Sequence, residues 1–138
     1  MNEALKEAMI ALQKDEVPVG AVVVCENRII ARAHNLTETL HDVTAHAEMQ
    51  AFTAASDHLG GKYLDECTLY VTVELCVMCA GAAFWTRIGK IIYGAKDDKR
   101  GFTLVNQALL HRKTKIEDGI LARESSHLMK EFFRRKRQ

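Results

Sequence analysis

Two short elements restrict this chain more than anything else in it: His46-Ala47-Glu48 and Cys76-Val77-Met78-Cys79. Cysteines three apart on a helix present both thiols on one face within a single turn. The run Thr68 to Val73 (Thr-Leu-Tyr-Val-Thr-Val) reads as a strand, so the cysteines fall in the first turn of the helix that follows it. Unpaired N–H groups and the helix dipole favour thiolate there, and thiolate is the form that binds metal. His46 opens the other strong predicted helix. Two helix N-termini facing each other across adjacent strands complete a Cys2His site, and the fold has to deliver both ends to one place.

Three protein ligands leave a fourth tetrahedral position open for water, which marks a catalytic zinc; a structural zinc closes its shell with four side chains. No fourth ligand stands at a suitable spacing. His41 and His58 pair poorly with the cysteines, and a strand separates Cys67 from them. Glu48, two residues from His46, lies on a different helical face and is not expected to ligate alongside it. It can still reach water at the metal, take its proton and return it to a substrate nitrogen. A zinc ribbon or a thioredoxin-like redox pair would account for the cysteines but would leave His46-Ala47-Glu48 unexplained.

The rest of the chain alternates helix and strand. Leu5, Ala8, Met9 and Leu12 recur at helical spacing from about Asn2 to Lys14. Val19 to Cys25 and Arg28 to Ala33 flank Glu26-Asn27 and predict a hairpin. A polar loop from Asn35 to Val43 leads to a helix capped by Asp42 or Thr44, which Leu59-Gly60-Gly61 ends. The Cys76–Thr86 helix, a strand over Lys90 to Ala95, a charged loop to Gly101, a short strand near Lys115 and a helix from about Leu121 to Arg135 follow. The pattern predicts an α/β fold, a three-layer α/β/α sandwich around one mixed sheet of about five strands.

Length and composition agree with a single domain over residues 1–138: 48% of residues are hydrophobic and 27% charged, enough for a core and a normal polar surface. No apolar run approaches the roughly 20 residues needed to span a bilayer, and Met1-Asn2-Glu3 does not begin a signal peptide, so a cytoplasmic address is expected. Cys25 and Cys67 lie in strand-like runs and read as small buried hydrophobes rather than a disulfide.

His46-Ala47-Glu48 followed by a strand and Cys76-Val77-Met78-Cys79 matches the signature of zinc nucleobase deaminases. The chain more specifically resembles the bacterial tRNA-specific adenosine deaminases, within the cytidine/deoxycytidylate deaminase superfamily. The resemblance runs through Pro18 to Val24, Ala33-His34-Asn35, Leu69 to Glu74, Cys76 to Ala82 and Tyr93-Gly94-Ala95. It continues through Glu117 to Leu121 and Phe132 to Arg137, nearly the whole chain. It implies a cytidine-deaminase-like fold and hydrolytic conversion of adenosine to inosine at the wobble position of a tRNA anticodon loop. Carried over by motif, His46, Cys76 and Cys79 would hold one Zn2+ per chain, Glu48 would shuttle protons, and Asn35 would hydrogen-bond the flipped base. A homodimer is implied as well. One position departs from the pattern: Leu75 stands where the family has proline. Leucine can adopt the φ that proline fixes, so the expected loss is about 0.4–1 kcal/mol of preorganisation, not the site.

The formal net charge of +1 conceals an asymmetry, because without Arg134, Arg135, Lys136 and Arg137 the chain carries fifteen basic against eighteen acidic residues. Such a basic end supplies the phosphate contacts that dominate nucleic-acid affinity, here toward a tRNA anticodon stem-loop. Lys96, Lys99 and Arg100, or Arg112, Lys113 and Lys115, could line a groove for RNA. The apolar stripe of the last helix, with Met129, Phe132 and Phe133, reads as core, and Phe84 and Trp85 as core or dimer contacts. Two rivals remain: a deaminase of free bases or nucleosides (guanine or cytosine type), which needs no basic tail, and a catalytically silent RNA-binding subunit, which would not need Glu48.

Overall fold

The sheet is built outward from its central strand, and the computed structural model describes residues 1–137 of it and its surroundings. In chain order the elements are α1 (Asn2–Gln13), β1 (Gly20–Cys25), β2 (Arg28–His34), α2 (Ala47–Leu59), β3 (Cys67–Val73), α3 (Val77–Thr86), β4 (Lys90–Ala95), β5 (Lys115–Glu117) and α4 (Ala122–Lys136), with two single-turn 3-10 helices between β4 and β5. The strands lie in the order β2-β1-β3-β4-β5. β1 is antiparallel to both of its neighbours, β2 and β3, while β3, β4 and β5 run parallel. A mixed five-stranded sheet in an α/β/α sandwich is what the alternation predicts.

Each local choice has a chemical cause. Glu26 and Asn27 both take left-handed φ, 53° and 62°, and form the two-residue turn whose twist suits a hairpin. Gly60, at φ 69°, ends α2 where a side chain would be strained. Along β1, β3 and β4 successive residues face opposite layers. Ala21, Val23, Leu69, Val71, Ile91 and Tyr93 join Ala51, Phe52 and Ala55 of α2 and Ala80 and Ala83 of α3 in the main core. The α1 and α4 helices cover the other face and touch each other.

Two sequence expectations shift by small rotations. The buried stripe of α1 is Ala4, Ala8 and Ala11, whereas Met9 is 48% exposed. The reason is Gly20, where a Cβ would strike the Ala4 carbonyl and the Ala8 amide. So close an approach of helix to strand admits alanine and excludes larger residues. The N-cap of α2 is His46, not Asp42 or Thr44. Asp42 instead accepts the Thr44 amide at 2.8 Å and its hydroxyl at 2.7 Å, a local turn of the kind short polar side chains favour. Cys25 and Cys67 are free thiols on facing strands, and among the described residues no helix is long and apolar enough to cross a membrane.

Candidate metal centre and catalytic cleft

The two helix starts meet. His46 is the N-cap of α2 and Cys76 the N-cap of α3, each with extended backbone, so Cys76 sits one residue ahead of the first turn expected for it. Cys79 follows within that turn. An N-cap residue still points along the strand that delivers it, which lets β3 aim Cys76 while α3 aims Cys79. Nδ1 of His46 lies 3.6 Å from Sγ of Cys76 and 3.4 Å from Sγ of Cys79. The three donor atoms all fall within 4.8 Å of one another. With Zn–N near 2.05 Å and Zn–S near 2.3 Å, tetrahedral angles place nitrogen and sulfur about 3.5 Å apart. The donors therefore fit zinc in both chemistry and spacing, and the His-Cys-Cys group is positioned to supply three of the four donors that a tetrahedral zinc takes.

Electrostatics at the trio are arranged for metal. The Cys79 thiol and then the His46 imidazole donate toward Cys76 and bring its thiol down to about 4. Interaction with the Cys76 thiolate, and burial, push Cys79 up; the same thiolate raises His46. Glu48 is 4% exposed, and its burial pushes the carboxyl up to about 7. It stands outside the ligand trio, as its offset from His46 requires.

These groups line a cleft of about 550 Å³. Its walls include Val17, Val19, Asn35, Thr37, Val73 and Met78, and residues from two later segments complete it: Asp97 and Arg100, and Met129 and Phe133 of α4. The sequence reading missed Met129 and Phe133 by assigning the whole stripe to the core. Phe132 and Phe133 are adjacent, so on a helix they point about 100° apart and cannot both face one core. Phe132 is buried and Phe133 is turned toward the cleft.

The segment after β4 is fastened beside the cysteines. The buried carboxylate of Glu74 accepts the Asp97 amide at 3.2 Å, the Thr103 amide at 3.0 Å and the Thr103 hydroxyl at 2.7 Å. Gly101 pairs with Cys76 as an isolated bridge, and a Cβ on it would strike the Glu74 carboxylate. Leu75 is fully buried, and its carbonyl accepts the Phe102 amide at 2.9 Å. Among the described residues no backbone carbonyl receives the Leu75 N–H. A proline there would forgo no backbone bond, and leucine in its place contributes a core side chain.

The matches to known proteins follow the same lines. The MafB19-like deaminase family matches residues 1–137. A tRNA-specific adenosine deaminase of Aquifex aeolicus is 46% identical over 99% of this chain and 93% of its own. Its counterpart in Bacillus subtilis is 43% identical, over 100% and 89%. This chain belongs to the tRNA-specific adenosine deaminase family. A solved structure from work on A-to-I editing by tRNA:A34 deaminases at the wobble position of transfer RNA shares the family fold. It superposes with a TM-score of 0.86 at 40% identity, covering 93% of this chain and 96% of that one. A guanine deaminase from Nitrosomonas europaea (TM-score 0.82, 23% identity, 95% and 81% covered) shows that the cytidine-deaminase-like fold extends beyond the family.

The basic residues are distributed less simply than the sequence suggests. Arg134 forks onto Glu131 at 2.8 and 2.9 Å, Arg135 reaches the same carboxylate at 3.3 Å, and Lys136 bonds Asp15 at 2.6 Å. These pairs are exposed, so a phosphate can compete for the cations. Lys96 and Arg112 border a separate groove of about 1040 Å³ with Phe84, Tyr93 and His111. His34 is hydrogen-bonded to Glu7 and Lys14, and His41 is exposed, so neither is drawn to the metal.

Proposed function

We propose that this protein, as one domain over residues 1–138, hydrolyses the wobble adenosine of a tRNA anticodon loop to inosine. The observation that carries the reading is a buried Glu48 beside a His-Cys-Cys group spaced to hold zinc, all lining one cleft. The named activities of relatives 46% and 43% identical over almost the whole chain support it. Zinc, when bound by His46, Cys76 and Cys79, supplies the Lewis acidity that activates water at neutral pH. A carboxyl titrating near 7 gives up and takes back a proton with little cost near neutrality, so Glu48 accepts the proton of the attacking water and passes it to the purine. Water adds at carbon 6, the exocyclic amine takes the remaining proton of the added hydroxyl and leaves as ammonia, and the oxygen stays as the carbonyl. Asn35, buried at the cleft wall, hydrogen-bonds the extruded base.

The same reading includes a homodimer, RNA contact through Arg134, Arg135, Lys136 and Arg137, and work in the cytoplasm. Trp85 is 76% exposed and packs edge-on against the exposed Phe84, with 5.3 Å between ring centroids, apolar surface of the kind that protein contacts cover. Trp85 is therefore no core residue, and its exposure supports the dimer-contact reading.

Nuclease digestion and mass analysis of tRNA incubated with the zinc-loaded protein tests the activity. Inosine in place of the wobble adenosine is expected. Turnover of free guanine, adenosine or cytidine without turnover of an anticodon stem-loop would move the protein to the free-base deaminases. Purified protein carrying far less than one zinc per chain would remove the enzyme reading altogether.

A further inference from the structure

Glu16 is a fully buried carboxylate that the chemistry above does not use. It lies in the turn between α1 and β1, directly before Val17, whose side chain lines the cleft. Both of its oxygens are occupied. Oε1 accepts Nδ2 of Asn35 at 3.3 Å and the Glu38 amide at 3.1 Å. Oε2 accepts the Thr39 amide at 2.7 Å and the Thr39 hydroxyl at 2.6 Å. Burial pushes the carboxyl up, but the Thr39 hydroxyl and the two backbone amides outweigh it and hold Glu16 below its ordinary value. The group is ionised and can only accept. Every polar contact it makes goes to the segment 35–39, which carries Asn35 and Thr37 on the cleft wall.

Asn35 is held at one end only. Its Nδ2 donates to Glu16 and, at 3.2 Å, to Oγ1 of Thr37. An amide can turn end for end unless its neighbours distinguish oxygen from nitrogen. A carboxylate makes that distinction, because it attracts the NH2 and repels the carbonyl oxygen. We propose that Glu16 is a positioning residue for base recognition: it fixes the orientation of the Asn35 amide. It acts through Asn35, so the proposal rests on the reading of Asn35 as a base contact. No motif spacing points to Glu16, since its partners lie 19 to 23 residues away.

A double-mutant cycle tests this. Glu16→Gln keeps size and shape but replaces one acceptor oxygen with a donor, which meets a donor of segment 35–39 whichever way it turns. Zinc-loaded wild type, Glu16→Gln, Asn35→Ala and the double variant are assayed on an anticodon stem-loop, with zinc content and melting temperature measured alongside. Glu16→Gln is expected to lower kcat/KM about tenfold, the worth of one hydrogen bond to a charged group. In the Asn35→Ala background it is expected to change kcat/KM less than about twofold, because the residue it acts through is gone. Equal losses in both backgrounds would make Glu16 a structural residue only and overturn the proposal while leaving the Asn35 reading intact. An Asn35→Ala variant with unchanged kcat/KM would remove the Asn35 reading, and this proposal with it. If Glu16→Gln unfolds below assay temperature, Glu16→Asp, an acceptor on a shorter arm, carries the same cycle.

Discussion

Glu48 and the ligand trio divide the chemistry between groups whose protonation is set by contact and burial. A buried carboxyl raised to about 7 suits a proton shuttle, and substitution at it separates catalysis from binding. Glu48→Gln is expected to lower kcat by at least about 10², the lower range for a lost general acid–base, while zinc content and stem-loop affinity hold. Retained turnover in single-turnover assays would assign the shuttle elsewhere. Zinc binding has a proton signature of its own. Cys76, at about 4, is already thiolate at neutral pH, whereas the raised His46 and Cys79 keep their protons to higher pH. The metal must displace those protons, so its apparent affinity rises with pH through the His46 and Cys79 titrations. Titration calorimetry in buffers of different ionisation enthalpy measures the release, and zinc uptake with no proton released near pH 7 would contradict this arrangement.

The elements are coupled through points of close approach. Gly20 lets α1 lie against β1, and the turn after α1 carries Glu16 behind the cleft. Gly20→Ala is expected to force the helix outward at a cost of about 1–3 kcal/mol, the range for overpacking, with a lowered urea midpoint at unchanged slope. An unaltered midpoint would show that α1 tolerates displacement. Leu75 belongs to the same scale. As a sequence departure it reads as lost preorganisation; in the fold it is a fully buried side chain whose carbonyl holds Phe102. The residue that stands in place of the family's proline also holds the loop beside it.

At the level of the whole molecule, the α/β/α sandwich converts a helix–strand alternation into one cleft that draws on most of the chain. The floor comes from the starts of α2 and α3, one wall from residues 17–37, and the remaining sides from residues 97–100 and α4. The exposed Trp85 is where the proposed homodimer is tested. Trp85→Glu is expected to shift the protein from dimer to monomer in sedimentation velocity, without loss of zinc, by placing a charge where an apolar contact forms. A wild-type protein that sediments as a monomer would remove the dimer from the proposed function.

Features whose cause is local could be read from the residues alone. Cysteines three apart after a strand, a histidine and glutamate opening a helix, two turn residues between β-branched runs: each is specified within a few residues by periodicity, capping or turn chemistry. The metal trio and the five-stranded architecture were therefore legible before any coordinates. Features that depend on packing emerge with the fold. Which stripe of α1 is buried follows from Gly20, which lies beyond the end of that helix. Which of two adjacent phenylalanines enters the cleft follows from where α4 crosses the sheet. That Glu16 grips Asn35 follows from two turns meeting across about twenty residues of chain. Side-chain partners distant in sequence leave no periodic trace, and they are what turn a zinc site into a cleft with a defined wall.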